Sequence, residues 1–85
     1  MARKNRRRAD PWVGIWLRSL REDTNVSRGE VATTLGRDES WVSRIETGVS
    51  AIRADDLPAV LAAYDVTPAQ FARKAASIPV ARAAA

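Results

Sequence analysis

Ser40, Ser43, Arg44 and Thr47 are the residues whose types and spacing first suggest chemistry. If residues 38–47 are helical, a rotation of about 100° per residue turns Ser40 and Thr47 away from Val42 and Ile45, with Ser43 and Arg44 at their sides. That face carries hydroxyls, a guanidinium and little apolar area, so its chemistry is directional hydrogen bonding rather than bond making. An Arg fork matches paired acceptors such as guanine O6 and N7, and a Ser or Thr hydroxyl serves either base type. Glu39, Trp41 and Glu46 lie at the borders. A carboxylate at Glu39 could accept from cytosine N4 and would repel phosphate, which suits selectivity more than affinity. Trp41 could pack on the preceding helix, touch a thymine methyl or lie along a sugar-phosphate backbone. Catalysis has little to work with. The chain has no His and no Cys, which removes the commonest general base, the thiol nucleophile and the thiolate metal site. Asp55 and Asp56 read as a helix start, and no Ser has a base beside it. The sequence therefore predicts no enzyme, no cofactor and no metal site.

The elements that must position this face are marked by their ends. Ser27 is an N-cap whose partner, Glu30, stands three residues on, the spacing of a capping box. Val31, Ala32 and Leu35 give that helix one apolar stripe of about two turns. Gly36 falls where the helix must stop and a left-handed residue is needed. Asp38 then caps the next helix after so short a link that the two cannot lie antiparallel. Two short helices crossing steeply around a tight Gly-containing turn make a helix-turn-helix, here over residues 27–48.

The stretch SRGEVATTLGRDESWVSRIETG resembles the lambda-repressor-like, Cro-type helix-turn-helix family. The residues that carry the likeness are Ser27, Glu30, Val31 and Ala32, then Leu35–Gly36, then Ser43–Arg44–Ile45–Glu46 and Gly48. The likeness spans about Val13 to Phe71. It implies an all-α, compact five-helix domain that binds double-stranded DNA. It also implies a structural salt bridge between Arg21 and Glu46, base contact at Glu39, backbone contacts from the loop after the second helix, and a dimer contact from the last helix and the residues after it. In that loop Ser50 and Arg53 are the phosphate partners, and Phe71, Ile78 and Val80 are the interface residues. The chain departs from the family pattern at Trp16, where a polar residue is usual. It departs again at Arg28 in place of Gln, at Gly29, at Trp41, and at Asp65 in place of Gly. Arg28, at a helix N-terminus, suits a phosphate.

In chain order, residues 1–9 form a basic arm, 10–78 the domain and 79–85 a tail. Arg3, Lys4, Arg6, Arg7 and Arg8 give residues 1–8 a charge of +5, whereas residues 9–85 hold nine basic and ten acidic side chains. Such an arm is predicted to be disordered and to seek a polyanion: the phosphate backbone or a minor groove. Asp10 and Pro11 open a first helix that runs to about Asp23, with Val13, Leu17 and Leu20 inward. Trp12, Ile15 and Trp16 form a second apolar patch beside them, either folded over the core edge or offered to a partner. Asn25 is a left-handed terminator. Asp55 or Asp56 opens a fourth helix that buries Leu57, Val60, Leu61 and Tyr64. Thr67 and Gln70 make a second capping box, opening a fifth helix to about Ser77.

These readings predict a sequence-specific DNA-binding transcription regulator, a repressor by occlusion, acting as a homodimer on DNA in the cytoplasm with no membrane span. Glu39, Ser40, Ser43 and Arg44 are the base-contact residues. Arg28, Trp41, Thr47, Ser50, Arg53 and the arm are the backbone contacts. Two rivals make different predictions. An antitoxin- or antirepressor-like module would use Trp12 and Trp16 on a protein partner. A non-specific nucleic-acid binder would work through the arm and lose binding without it.

Overall fold

The computed structural model describes residues 8–78. Five helices follow one another: α1 (Pro11–Asp23), α2 (Arg28–Leu35), α3 (Glu39–Glu46), α4 (Leu57–Ala63) and α5 (Pro68–Ser77). The all-α, five-helix class read from the sequence is the class observed. No described helix is long and apolar enough to cross a membrane. Arg3, Lys4, Arg6, Arg7 and Val80 lie outside the described residues.

The helix ends follow the local chemistry. Both arms of the Ser27–Glu30 capping box form: Ser27 Oγ accepts from Glu30 N at 3.0 Å, and Glu30 Oε1 accepts from Ser27 N at 2.9 Å. Gly36 adopts the left-handed conformation at φ 67°, which lets Arg37 N reach back to Ala32 O at 2.9 Å. Asp38 then caps α3, its Oδ1 accepting from Trp41 N at 2.8 Å. The Thr67–Gln70 box is complete as well. Asn25 (φ 60°) and Asp65 (φ 61°) end α1 and α4 in the left-handed region. In that region Asn and Asp are better tolerated than other side chains but less than Gly. At α4 the N-cap position falls to Asp56, whose side chain makes no capping bond.

Packing places α3 at the centre, against α1 on one side and α2 on the other, with α4 behind α2. Val13 and Leu17 of α1, Val31 and Ala32 of α2, Val42 and Ile45 of α3, and Val60, Leu61 and Tyr64 of α4 form the core. Two further core residues stand outside the helices. Ile52, in a segment read from the sequence as a phosphate-binding loop, is 3% exposed, and Val66 plugs the end of α4. Gly14 sets how closely α1 meets α3: a Cβ there would collide with the Ile45 carbonyl. Burial also begins earlier than the composition predicts. Arg8 forms an antiparallel bridge with Arg53, and Ala9 N donates to Ile52 O at 2.7 Å. The last residues of the stretch assigned to the arm are thus tied to the α3–α4 loop.

Candidate functional site

The rear of α3 is held by a buried polar network. Arg21 donates to Glu46 through Nε at 2.7 Å and Nη2 at 2.8 Å, a bidentate pair, while its Nη1 donates to Val26 O at 3.0 Å. Tyr64 Oη donates to Glu46 Oε2 at 2.6 Å. Glu46 is 2% exposed, so its charge depends on these donors among the described residues. The hydrogen bond to Glu46 holds the Arg21 guanidinium above its ordinary pKa, against the opposing effect of burial. Burial, and after it the bond to Glu46, pushes the Tyr64 hydroxyl well above the usual tyrosine range. One carboxylate therefore ties α1, α3 and α4 together and fixes the rotation of α3. The family resemblance implies the pairing of Arg21 with Glu46. The sequence treats Tyr64 only as an apolar core residue, and its hydroxyl's partner lies 18 residues away, beyond any local pattern.

With Val42 and Ile45 buried, the opposite side of α3 is open. Ser40, Arg44 and Thr47 are exposed, and Ser43 is half-buried. Among the described residues no ion pair or hydrogen bond engages the Arg44 guanidinium, so its five N–H donors are available. Thr47 is the C-cap of α3, and its hydroxyl donates to Ser43 O at 3.0 Å. Its remaining capacity toward a ligand is as an acceptor, which weakens its expected role as a donor to phosphate. Ser50 is half-buried and tied by its backbone N–H to Arg44 O at 3.0 Å.

The two flanks of α3 differ. On one, Glu39 lies against the first turn of α2, where a Cβ on Gly29 would come 3.1 Å from Glu39 Oε2. That carboxylate is exposed and at the end of a flexible side chain, so a small shift would admit a Cβ at Gly29. Arg28 is exposed at the same turn. On the other flank Trp41 is half-buried and packed against the core, under the Arg37 guanidinium, whose carbon lies 4.5 Å from the ring centroid. Its face is therefore occupied, which favours packing over the expected contact along a DNA backbone. Arg37 also approaches Asp56, Nη2 to Oδ2 3.5 Å. Arg37, Trp41, Arg8, Arg53 and the acids Asp55 and Asp56 line one open groove there. Arg37, which the sequence marks only as a turn residue, is the one this groove adds.

The two tryptophans of α1 pack within the domain. Trp12 stacks on Phe71 of α5 with ring centroids 5.8 Å apart and planes 16° from parallel, and Trp16 stands 6.0 Å from Trp12 and 6.4 Å from Phe71. Both indoles are half-buried, and Trp12 Nε1 is buried with no hydrogen-bond partner among the described residues. These contacts anchor α5, which buries no residue fully. Ile15 beside them is 54% exposed, and Ile78 is half-buried. Among the described residues no cluster of His, Cys, Asp or Glu could hold a metal ion.

Comparison with known proteins agrees with this geometry. The family model described as a helix-turn-helix domain matches residues 12–73. A search of curated protein sequences finds no match. Among solved structures, the clp gene regulator ClgR from C. glutamicum superposes with a TM-score of 0.66 at 26% identity, over 80% of this chain and 90% of that one.

Proposed function

Because the chain belongs to the helix-turn-helix domain family, we propose that it is a sequence-specific transcription regulator that reads double-stranded DNA with α3 in the major groove and acts as a repressor. The observation that carries this reading is the outward face of α3: Arg44 free of any ion pair among the described residues, with Ser40 exposed beside it, on a helix fixed from behind by the Glu46 network. Arg44 meets a guanine, Ser40 and Ser43 meet adjacent base edges, and Glu39 selects at the border of the site. Arg28 at the start of α2 and Arg53 in the α3–α4 loop hold phosphates, as does Ser50, and the basic arm adds sequence-independent attraction. An eight-residue reading helix spans only a few base pairs. Two copies on an inverted repeat, with reading helices about 34 Å apart, would supply the specificity of an operator. Ile15 and Ile78, beside the Trp12–Trp16–Phe71 cluster, are the described surface we assign to that pairing, and Val80, outside the described residues, is assigned to the same role. A small domain of this kind represses most directly by occluding a promoter, and we place it in the cytoplasm with the DNA it would regulate.

The test is selection of duplexes from a random pool, followed by anisotropy titration of the selected duplex and its scrambled counterpart. A preference that persists at higher salt and survives removal of residues 1–7, which keeps Arg8 and the Ala9 N–Ile52 O bond, is the expected result. Equal and steeply salt-dependent binding to both, lost with the arm, would replace this reading with a non-specific binder. Arg44→Ala should cost roughly 1–3 kcal/mol and blur preference at one base position. Uniform weakening across all sequences would make Arg44 a phosphate anchor instead.

A further inference from the structure

The groove between α3 and the α3–α4 loop carries an arrangement of charge that the fold alone does not need. Arg8 and Arg53 are directly opposite one another in an antiparallel bridge, so their side chains leave the same face a few ångströms apart. Like charges in that position repel, and among the described residues neither guanidinium has an ion pair. Arg37 lines the same groove from the turn between α2 and α3. Its guanidinium is held in place by stacking on Trp41 at 4.5 Å, while its approach to Asp56, at 3.5 Å, is longer than the 2.7–2.9 Å typical of a charge-assisted hydrogen bond. The pair is also open to water, with side-chain exposures of 43% and 36%. Arg37 is thus only loosely paired, and it shares the groove with two cations that have no ion pair among the described residues and with a second carboxylate, Asp55. An anion seated among the three arginines would relieve the repulsion of Arg8 and Arg53 and would compete with Asp56 for Arg37.

The groove borders α3 on its Trp41 side, one helix position from the outward-facing Ser40 and on the edge that also carries Arg44. A duplex read by that face brings its sugar-phosphate backbone alongside. We propose that this groove seats one backbone phosphate of the bound DNA, with Arg37 as a ligand that leaves Asp56 for the phosphate on binding. The assignment rests on the DNA-reading role of α3. It makes Asp56 a built-in competitor: the carboxylate lowers affinity for every duplex and leaves sequence preference untouched. Arg8 gains a role set by its backbone pairing, distinct from the diffuse attraction of the residues before it.

The experiment is a double-mutant cycle in the full chain, Arg37→Gln, Asp56→Asn and the pair, titrated by anisotropy between 50 and 200 mM KCl. The probes are a duplex selected by the wild-type chain from a random pool and a scrambled duplex of the same length. Loss of one phosphate contact lowers the slope of log affinity against log salt by about 0.9, about threefold in affinity over that range. Arg37→Gln should show this loss on both duplexes with their ratio unchanged. Asp56→Asn should tighten binding to both about threefold, and that gain should vanish in the Arg37→Gln background. A gain that persists in that background would make Asp56 a general source of repulsion and would overturn the proposal, as would an Arg37→Gln variant with unchanged slope. Melting curves of each variant establish that the fold is retained. Wild-type chain that binds both duplexes equally would instead refute the sequence-specific reading while the cycle still measured the phosphate seat. A chain that binds neither duplex would refute both.

Discussion

Two arginine–carboxylate pairs flank α3, and they are built differently. Behind it, Arg21 and Glu46 meet in two bonds of 2.7 and 2.8 Å, with the carboxylate 2% exposed and a third donor from Tyr64. Beside it, Arg37 and Asp56 stand 3.5 Å apart in water. A buried pair is hard to replace, because losing one member strands the other in a medium that cannot solvate it. An exposed pair contributes roughly 0–1 kcal/mol and exchanges partners freely. The first arrangement suits a residue that keeps its partner, and the second a residue that can exchange one partner for another. The contrast teaches that an ion pair's role follows from its burial and geometry, not from its composition.

The largest expected effect comes from breaking the buried pair. Glu46→Ala leaves Arg21 charged and without its carboxylate, which costs about 3–5 kcal/mol. For a domain of this size that is a large share of the total stability. Urea denaturation should show a midpoint shifted to much lower denaturant with little change in slope. A shift of only a few tenths of a kcal/mol would mean that water reaches Arg21 and that the site is not dry.

Gly14→Ala attacks the same side through packing. The added Cβ meets the backbone carbonyl of Ile45, which cannot rotate away as a side chain could. Helices α1 and α3 must separate, at a cost of about 1–3 kcal/mol. Because α3 then tilts, binding to a selected duplex should fall more than binding to a scrambled one. Thermal melts and paired titrations check the two halves of this expectation. Equal loss on both duplexes would mean that the helix keeps its orientation.

Tyr64→Phe removes one donor to Glu46 and keeps the ring, so it costs less than Glu46→Ala, about 1.5–3 kcal/mol for a bond to a charged group. It also carries a pH signature. Burial and the Glu46 bond raise the folded-state pKa of Tyr64 above that of the unfolded chain, which lies near 10. The unfolded state therefore releases a proton that the folded state retains. Stability from this residue is fully present below about pH 10 and declines above it. The chain has one tyrosine, so the decline is assignable. Melts of the two proteins between pH 8 and 11 should converge as pH rises. Parallel curves would show that the hydroxyl is not bound to Glu46 in solution.

Much of this architecture is legible in the sequence. Capping boxes, the Gly36 turn and the left-handed ends at Asn25 and Asp65 are local, each settled by residues within a few positions. The features that escape are those made by distant segments meeting. Nothing near Gly14 says that a carbonyl of α3 will lie against it, and nothing near Tyr64 announces a carboxylate on α3. Ile52 reads as loop because a single apolar residue between Ala51 and Arg53 has no period. The outward face of α3 is readable because helical rotation alone assigns it, whereas the groove at Arg37 needs a turn, a loop and the residues before α1 to come together.

The smallest effect on stability is expected from the exposed pair, and it completes the contrast. Asp56→Asn and Arg37→Gln should each change unfolding free energy by less than about 0.5 kcal/mol, since both groups remain solvated without the other. Trp41 keeps its packing in either variant, because it is held by the core as well as by Arg37. The Asn side chain also preserves the shape at the start of α4, where Asp56 makes no capping bond to lose. Melting temperatures in low and in high salt should therefore be nearly those of the wild type. A cost approaching that of Glu46→Ala would show that Asp56 locks the α2–α3 turn to α4, and that Arg37 is a structural residue like Arg21. The same arginine chemistry would then serve one purpose on both sides of the helix.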